Sequence, residues 1–229
     1  MNKKTTIYLI RHAEAQGNAE SFFQGNLDTM LTEKGLQQLD FLAERLKDIP
    51  FTRIYTSPFQ RTVLTAEAVN RFHSLPLTPE YDLRELNGGD WEGRHWSDFP
   101  SFFPSEYRAW HNEPWDFCAP NGDAMTEVWL RMAQTLTRIA AESCGKTVAV
   151  VSHGCALRNF LCYVEFGDIK RLSDVGWSDN TAVSCVTYDS ETGWELCFKQ
   201  DSSHLPPALS AQKPFPFAAR ETQQEAENA

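Results

Sequence analysis

The chain has 229 residues, with 21 Lys and Arg against 31 Asp and Glu, for a formal charge of −10. That acidity argues against sequence-independent nucleic-acid binding, which takes a basic face to displace counterions, and against adsorption to an anionic membrane surface. With 41% apolar residues, among them 15 Phe, 7 Trp and 6 Tyr, disorder throughout is excluded, and one large domain with or without an insertion is expected.

Residues 5–10 are β-rich, and the unbroken apolar stretch Ile7-Tyr8-Leu9-Ile10 suits a strand buried on both faces. It is too short for a bilayer span or a signal-peptide core. Thr32 then caps a helix in which Leu36, Leu39, Leu42, Ala43 and Leu46 recur at helical spacing, ended by Pro50. Residues 51–56 read as a second strand. Ser57 as cap and Pro58 at the first helical position predict a helix from there to about Phe72. Residues 91–117 interrupt the alternation, with nine aromatics and Pro100, Pro104 and Pro114 interleaved. This segment reads as a small hydrophobic subdomain packed on the sheet, as the wall or lid of a pocket, or as both. Helices are expected over 123–142 and 156–166, a strand over 147–151, and a hairpin over 182–198. Six cysteines without C-x-x-C or zinc-like spacing read as reduced thiols of a cytoplasmic protein.

The expected fold is therefore α/β: a three-layer sandwich with a mostly parallel central sheet flanked by helices, plus a small aromatic-rich inserted subdomain. One domain spans residues 1–205, with a cap-like insertion at about 91–122. Residues 206–229 read as a flexible tail, because 221–229 are almost wholly polar.

In such sheets ligands bind beyond the carboxyl ends of the strands. The first strand runs into Arg11-His12, and the strand over 147–151 runs into Ser152-His153-Gly154. Arg61 lies in the helix that follows a third strand end. Two imidazoles and two guanidiniums there make a dense anion site in an acidic protein. Guanidinium forks match phosphoryl oxygens, and a neutral imidazole can attack phosphorus to form a covalent intermediate. A second Arg-His pair, Arg94-His95, follows no strand and reads as structural.

Four ordered blocks resemble the histidine phosphatase superfamily, the phosphoglycerate-mutase-like or histidine acid phosphatase group. They are Ile10-Arg11-His12-Ala13-Glu14; Thr56-Ser57-Pro58-Phe59-Gln60-Arg61 with Thr65-Ala66; Leu83-Arg84-Glu85 with Gly89-Asp90-Trp91-Glu92-Gly93; and Ser152-His153-Gly154. The segment Asp201-Ser202-Ser203-His204-Leu205 is similar to the family's C-terminal part. The resemblance implies that His12 is the nucleophile that becomes phosphohistidine, and that Arg11, Arg61 and His153 form the phosphate pocket. It implies that Glu85 protonates the leaving oxygen and then activates water. Asn18 aligns with a phosphate-contacting asparagine, Gln24 and Gly25 with a substrate-approaching loop, and Gly154 can lend a backbone N–H. The sequence departs from the family at Ala13, usually Gly, at Ala15, usually Thr or Ser, at Asn121-Gly122-Asp123-Ala124, where many members carry Gly-Glu-Ser, and at Met30, commonly Pro.

The block Arg84-Glu85-Leu86-Asn87 looks like the phosphatase branch rather than the mutase branch, whose corresponding block reads Asn-Glu-Arg. The expected activity is hydrolysis of a small-molecule phosphate ester, without metal or other cofactor and without nucleic-acid or membrane partners. The alternatives are mutase-type phosphoryl transfer, or a catalytically weak binding or scaffold member of the family. Cys-dependent chemistry is disfavoured, since the Cys-x5-Arg spacing puts Leu161 after Cys155 and Ala124 after Cys118. The aromatic surplus suggests a substrate with an apolar or ring-bearing part, and core packing explains it almost as well.

Overall fold

A computed structural model describes residues 4–210. In chain order the elements are β1 (Thr5–Arg11), α1 (Gln16–Ala19), α2 (Glu33–Leu46), β2 (Arg53–Thr56), α3 (Gln60–Val69), β3 (Leu77–Pro79), α4 (Phe99–Phe102), α5 (Pro104–Asn112), α6 (Met125–Glu142), β4 (Thr147–Ser152), α7 (Gly154–Phe166), β5 (Val183–Asp189) and β6 (Gly193–Asp201). They build one six-stranded sheet in the order β3-β2-β4-β1-β5-β6. The first four strands of that order are parallel, whereas β5 runs antiparallel to β1 and β6 antiparallel to β5.

Alternation along the strands sorts the core into two layers. Ile7, Leu9, Val148, Val150 and Val186 face α6, α7 and the aromatic segment. Ile10, Ala149, Val151, Ile54 and Val183 face α2 and α3. A strand covered on both sides has little room for polar residues, which is why 148–151 is a run of valine and alanine. Trp91 is fully buried; it stacks on Phe99 at 4.0 Å and 16° and meets Phe117 at 4.8 Å. The aromatic segment thus completes the α6–α7 layer.

Most boundaries fall within two or three residues of the sequence expectation, and two differences bear on the site and on the domain limit. Helix α3 starts at Gln60, three positions after Ser57. The Ser57 hydroxyl lies 2.8 Å from His153 Nε2, and Asp28, from a distant loop, accepts the Gln60 N–H at 2.7 Å. A remote carboxylate therefore satisfies the helix start that Ser57 was expected to cap. Residues 206–210, assigned to the flexible tail, are docked: Leu209 is buried, its carbonyl accepts from Gln38 Nε2 at 2.8 Å, and Ser210 Oγ donates to Asp179 at 2.7 Å. The rest of that tail, 211–229, lies outside the described residues. Among the described residues no helix is long and apolar enough to cross a membrane.

Candidate active site

The connection leaving β1 crosses toward the α2–α3 layer, and the one leaving β4 enters the α6–α7 layer. These two strands are neighbours, paired in parallel with Arg11 opposite Ser152. Connections that diverge from adjacent strands open a crevice at their carboxyl ends. A cleft of about 620 Å³ lies there, lined by Arg11, His12, Asn18, Gln24, Gly25, Arg61, Glu85 and Gly154 among others. Eight of the nine residues singled out from sequence therefore border one cavity. The ninth, His153, is fully buried behind His12, their rings 5.3 Å apart.

His12 follows the last residue of β1 and is fastened by its backbone: its N–H donates to Ser152 O at 3.0 Å, and its carbonyl accepts from Asn180 Nδ2 at 3.0 Å. The ring Nδ1 lies 2.7 Å from Ala13 O. Because a carbonyl can only accept, we assign the proton of the neutral imidazole to Nδ1, which leaves the Nε2 lone pair available. Burial, followed by the positive charges of Arg61 and Arg11, holds the His12 pKa well below its ordinary value. The ring is therefore neutral at neutral pH.

Arg61, in the first turn of α3, is buried and held by the loop around Gly25: its two terminal nitrogens donate to Leu27 O at 2.6 Å and Gly25 O at 2.7 Å. Its Nε and the Nδ1 of His153 are buried without hydrogen-bond partners among the described residues. Buried polar atoms are normally paired, so these two stand apart from the rest of the core. Arg11 donates to Ser178 O. Burial lowers both guanidiniums to about 10, opposed by the Glu85 charge, and both remain cationic at neutral pH. Burial also keeps His153 neutral, with the Arg61 charge as the next contribution.

Glu85 sits at the start of α7, where its carboxylate accepts the N–H groups of Cys155 and Ala156, each at 2.9 Å. An acidic group is stabilised at that pole of a helix. The chain carrying it is clamped by Arg131 of α6, which donates to the carbonyls of Asp82 at 2.7 Å, Arg84 at 2.9 Å and Glu85 at 3.4 Å. Ser152 Oγ holds Leu83 O at 2.7 Å.

Asn18 accepts the Ala15 N–H at 3.1 Å and also meets Asn180. Gln24 accepts from the Thr29 hydroxyl. Gly25 has φ +50, and a Cβ there would sit 2.3 Å from Glu92 Oε1, so the position excludes a side chain. At Gly154, the first residue of α7, a Cβ would lie 3.2 Å from Arg11 Nε. Ala13 and Ala15 are buried and do not line the cleft; Ala13 packs with Leu39 and Ala68. His95 of the second Arg-His pair meets Phe22 at 6.4 Å, and its neighbour Arg94 lies over Phe102 and Phe103. The described residues hold no group of three His, Cys, Asp or Glu side chains arranged for a metal.

Sequence reasoning missed Ser57, Arg131, Asn180 and Trp177. The last two line the cleft because β5 is antiparallel, so the chain entering it abuts the carboxyl end of β1. An antiparallel assignment of the predicted hairpin next to β1 would have pointed to them.

Residues 7–201 match the sequence model of the histidine phosphatase superfamily (branch 1). The chain is 30% identical to phosphoserine phosphatase 1 of Hydrogenobacter thermophilus over 180 residues, covering 79% of this chain and 85% of that protein. It is 34% identical to the probable phosphoglycerate mutase GpmB of Cronobacter sakazakii over 212 residues, covering 89% and 96%. Among solved structures, YhfR of Bacillus stearothermophilus superposes with a TM-score of 0.83 at 30% identity, covering 87% of this chain and 98% of that one.

Proposed function

The chain belongs to the histidine phosphatase superfamily (branch 1), and on that premise we propose that it hydrolyses a small-molecule phosphate monoester through a phosphohistidine on His12. The observation that carries this reading is the His12 ring, buried and neutral beside two guanidiniums, with Nδ1 against Ala13 O and Nε2 unprotonated. In the first step the Nε2 lone pair forms the bond to phosphorus while the bond to the ester oxygen breaks. Glu85, as the general acid of this step, gives a proton to that leaving oxygen. In the second step water attacks phosphorus and gives a proton to Glu85, and the N–P bond breaks, restoring His12. Arg11, Arg61 and His153 hold the phosphoryl oxygens, whose charge is spread through the transition state. Asn18, Gln24, Gly25 and Gly154 border the same cavity and shape the approach of the ester.

The positive charge required is supplied by the two buried arginines, so the reaction proceeds without a metal. Six free cysteines fit a reducing compartment such as the cytoplasm. The packing of Ala13 with Leu39 and Ala68 supports turnover rather than a scaffold role, because that methyl group does not intrude on the cleft.

Phosphate release from p-nitrophenyl phosphate, measured for wild type and His12→Ala with and without EDTA, tests the reading. The wild type should turn over equally in both conditions, and the variant should lose at least about 10³-fold, the scale of covalent and electrostatic catalysis together. No release by the wild type from any of a broad panel of esters would overturn it. Loss in EDTA restored by zinc would overturn metal independence.

A further inference from the structure

The cleft is far larger than one phosphoryl group, and part of its wall is aromatic. Phe22, Trp96, Trp110 and Trp177 line it. Trp110 and Trp177 stack at 5.9 Å and 24°, and Trp96 meets Trp110 at 5.7 Å. Trp177 carries the Arg158 guanidinium over its ring at 4.7 Å, so the wall is braced before any ligand arrives. Among the described residues lining the cleft the only cations are Arg11 and Arg61, both committed to the phosphoryl group in the reading above. Two nearby cations are also engaged. Arg158 is buried and donates to Val175 O and Leu172 O, each at 2.8 Å. Lys34 is 3.2 Å from Glu14 and 3.3 Å from Ser210 O. Glu14 itself lines the cleft and adds negative charge.

Apart from those two arginines, a carboxylate on the substrate would meet no cation among the described residues that line the cleft. Burying an unpaired charge is costly, whereas an apolar ring gains by leaving water. We propose that the preferred substrate is the phosphate ester of an uncharged, ring-bearing alcohol whose apolar part packs on Trp96, Trp110 and Trp177. Carboxylate-bearing esters such as phosphoserine and 3-phosphoglycerate, the chemistry named for two of the relatives, are poor substrates here. The inference rests on the hydrolase reading and adds the substrate class to it.

The test compares kcat/KM for benzyl phosphate, ethyl phosphate, O-phospho-L-serine and 3-phosphoglycerate. Benzyl alcohol and ethanol are similarly poor leaving groups, so their ratio reports the ring rather than bond cleavage. Benzyl phosphate should exceed ethyl phosphate by roughly 10–100-fold, the range for burying one aromatic side chain, and should exceed both carboxylate esters by at least as much. In Trp177→Ala, and independently in Trp96→Leu should the first variant fold poorly, the benzyl-to-ethyl ratio should drop by about tenfold. A carboxylate ester turned over as well as benzyl phosphate would overturn the inference and leave the hydrolase reading standing. So would a wild-type benzyl-to-ethyl ratio near one, or a ratio unmoved in a folded variant. Release from none of the four esters would overturn the inference, and release from no ester of the broad panel would overturn the hydrolase reading as well.

Discussion

Arg131 does not line the cleft, yet three of its hydrogen bonds fix the carbonyls of Asp82, Arg84 and Glu85. If Glu85 is the proton donor, Arg131 is its positioning residue, and a split by leaving group exposes that role. Arg131→Ala should slow hydrolysis of alkyl phosphates by on the order of 10²-fold, the lower range for general acid catalysis. It should slow p-nitrophenyl phosphate less than about tenfold, because nitrophenolate leaves without a proton. Equal losses on both esters would contradict the assignment. His12, Arg11, Arg61 and His153 were legible in the sequence because each stands at or just beyond a strand end, where position alone implies the crevice. Arg131 was not, since a charged residue in an amphipathic helix reads as solvated until the neighbouring layer is known. Ser57 was legible as a cap and proved to be a partner of His153.

At the scale of elements, the periodic segments were found where one physical cause sets them. Thr32 accepts the Gly35 N–H at 2.9 Å at the start of α2, as expected from its type and place. Thr32→Ala should cost about 1 kcal/mol in urea unfolding. A loss below a few tenths would mean that Glu14, which accepts from the Thr32 hydroxyl at 2.9 Å, had made the cap redundant. The aromatic segment was harder to read. Its rings serve the core at Trp91 and Phe99 and the cleft wall at Trp96 and Trp110, and no periodicity separates the two uses. Trp91, fully buried among Phe23, Phe99, Trp110 and Phe117, should be the costlier loss: Trp91→Ala should destabilise by about 3–5 kcal/mol. A cost under 1 kcal/mol would show that this segment is not part of the main core. Strand β3, three residues containing Pro79, is too short to give a pattern and was not foreseen.

For the whole molecule, an acidic chain gathers two buried arginines and two buried histidines at one cleft, and burial keeps those histidines neutral. His12 and His153 lie well below the ordinary histidine range, chiefly through burial, and burial together with Arg45 brings His204 down to about 4. In the unfolded chain these rings titrate near 6.5. Between the folded and unfolded values the unfolded chain binds more protons, so stability rises with pH in that window. It is complete above about pH 6.5 and is lost as pH falls below it, with the His204 share lost between about 6.5 and 4. The Tm should therefore drop steadily from pH 7 to pH 5. A flat or rising Tm over that interval would contradict the burial of these rings.

Rapid quenching with a 32P-labelled ester shows whether His12 carries the phosphoryl group. Acid-labile, alkali-stable label is expected on His12 during turnover, and none on His12→Ala. Label on a cysteine or serine, or turnover with no labelled protein at any time, would contradict that role.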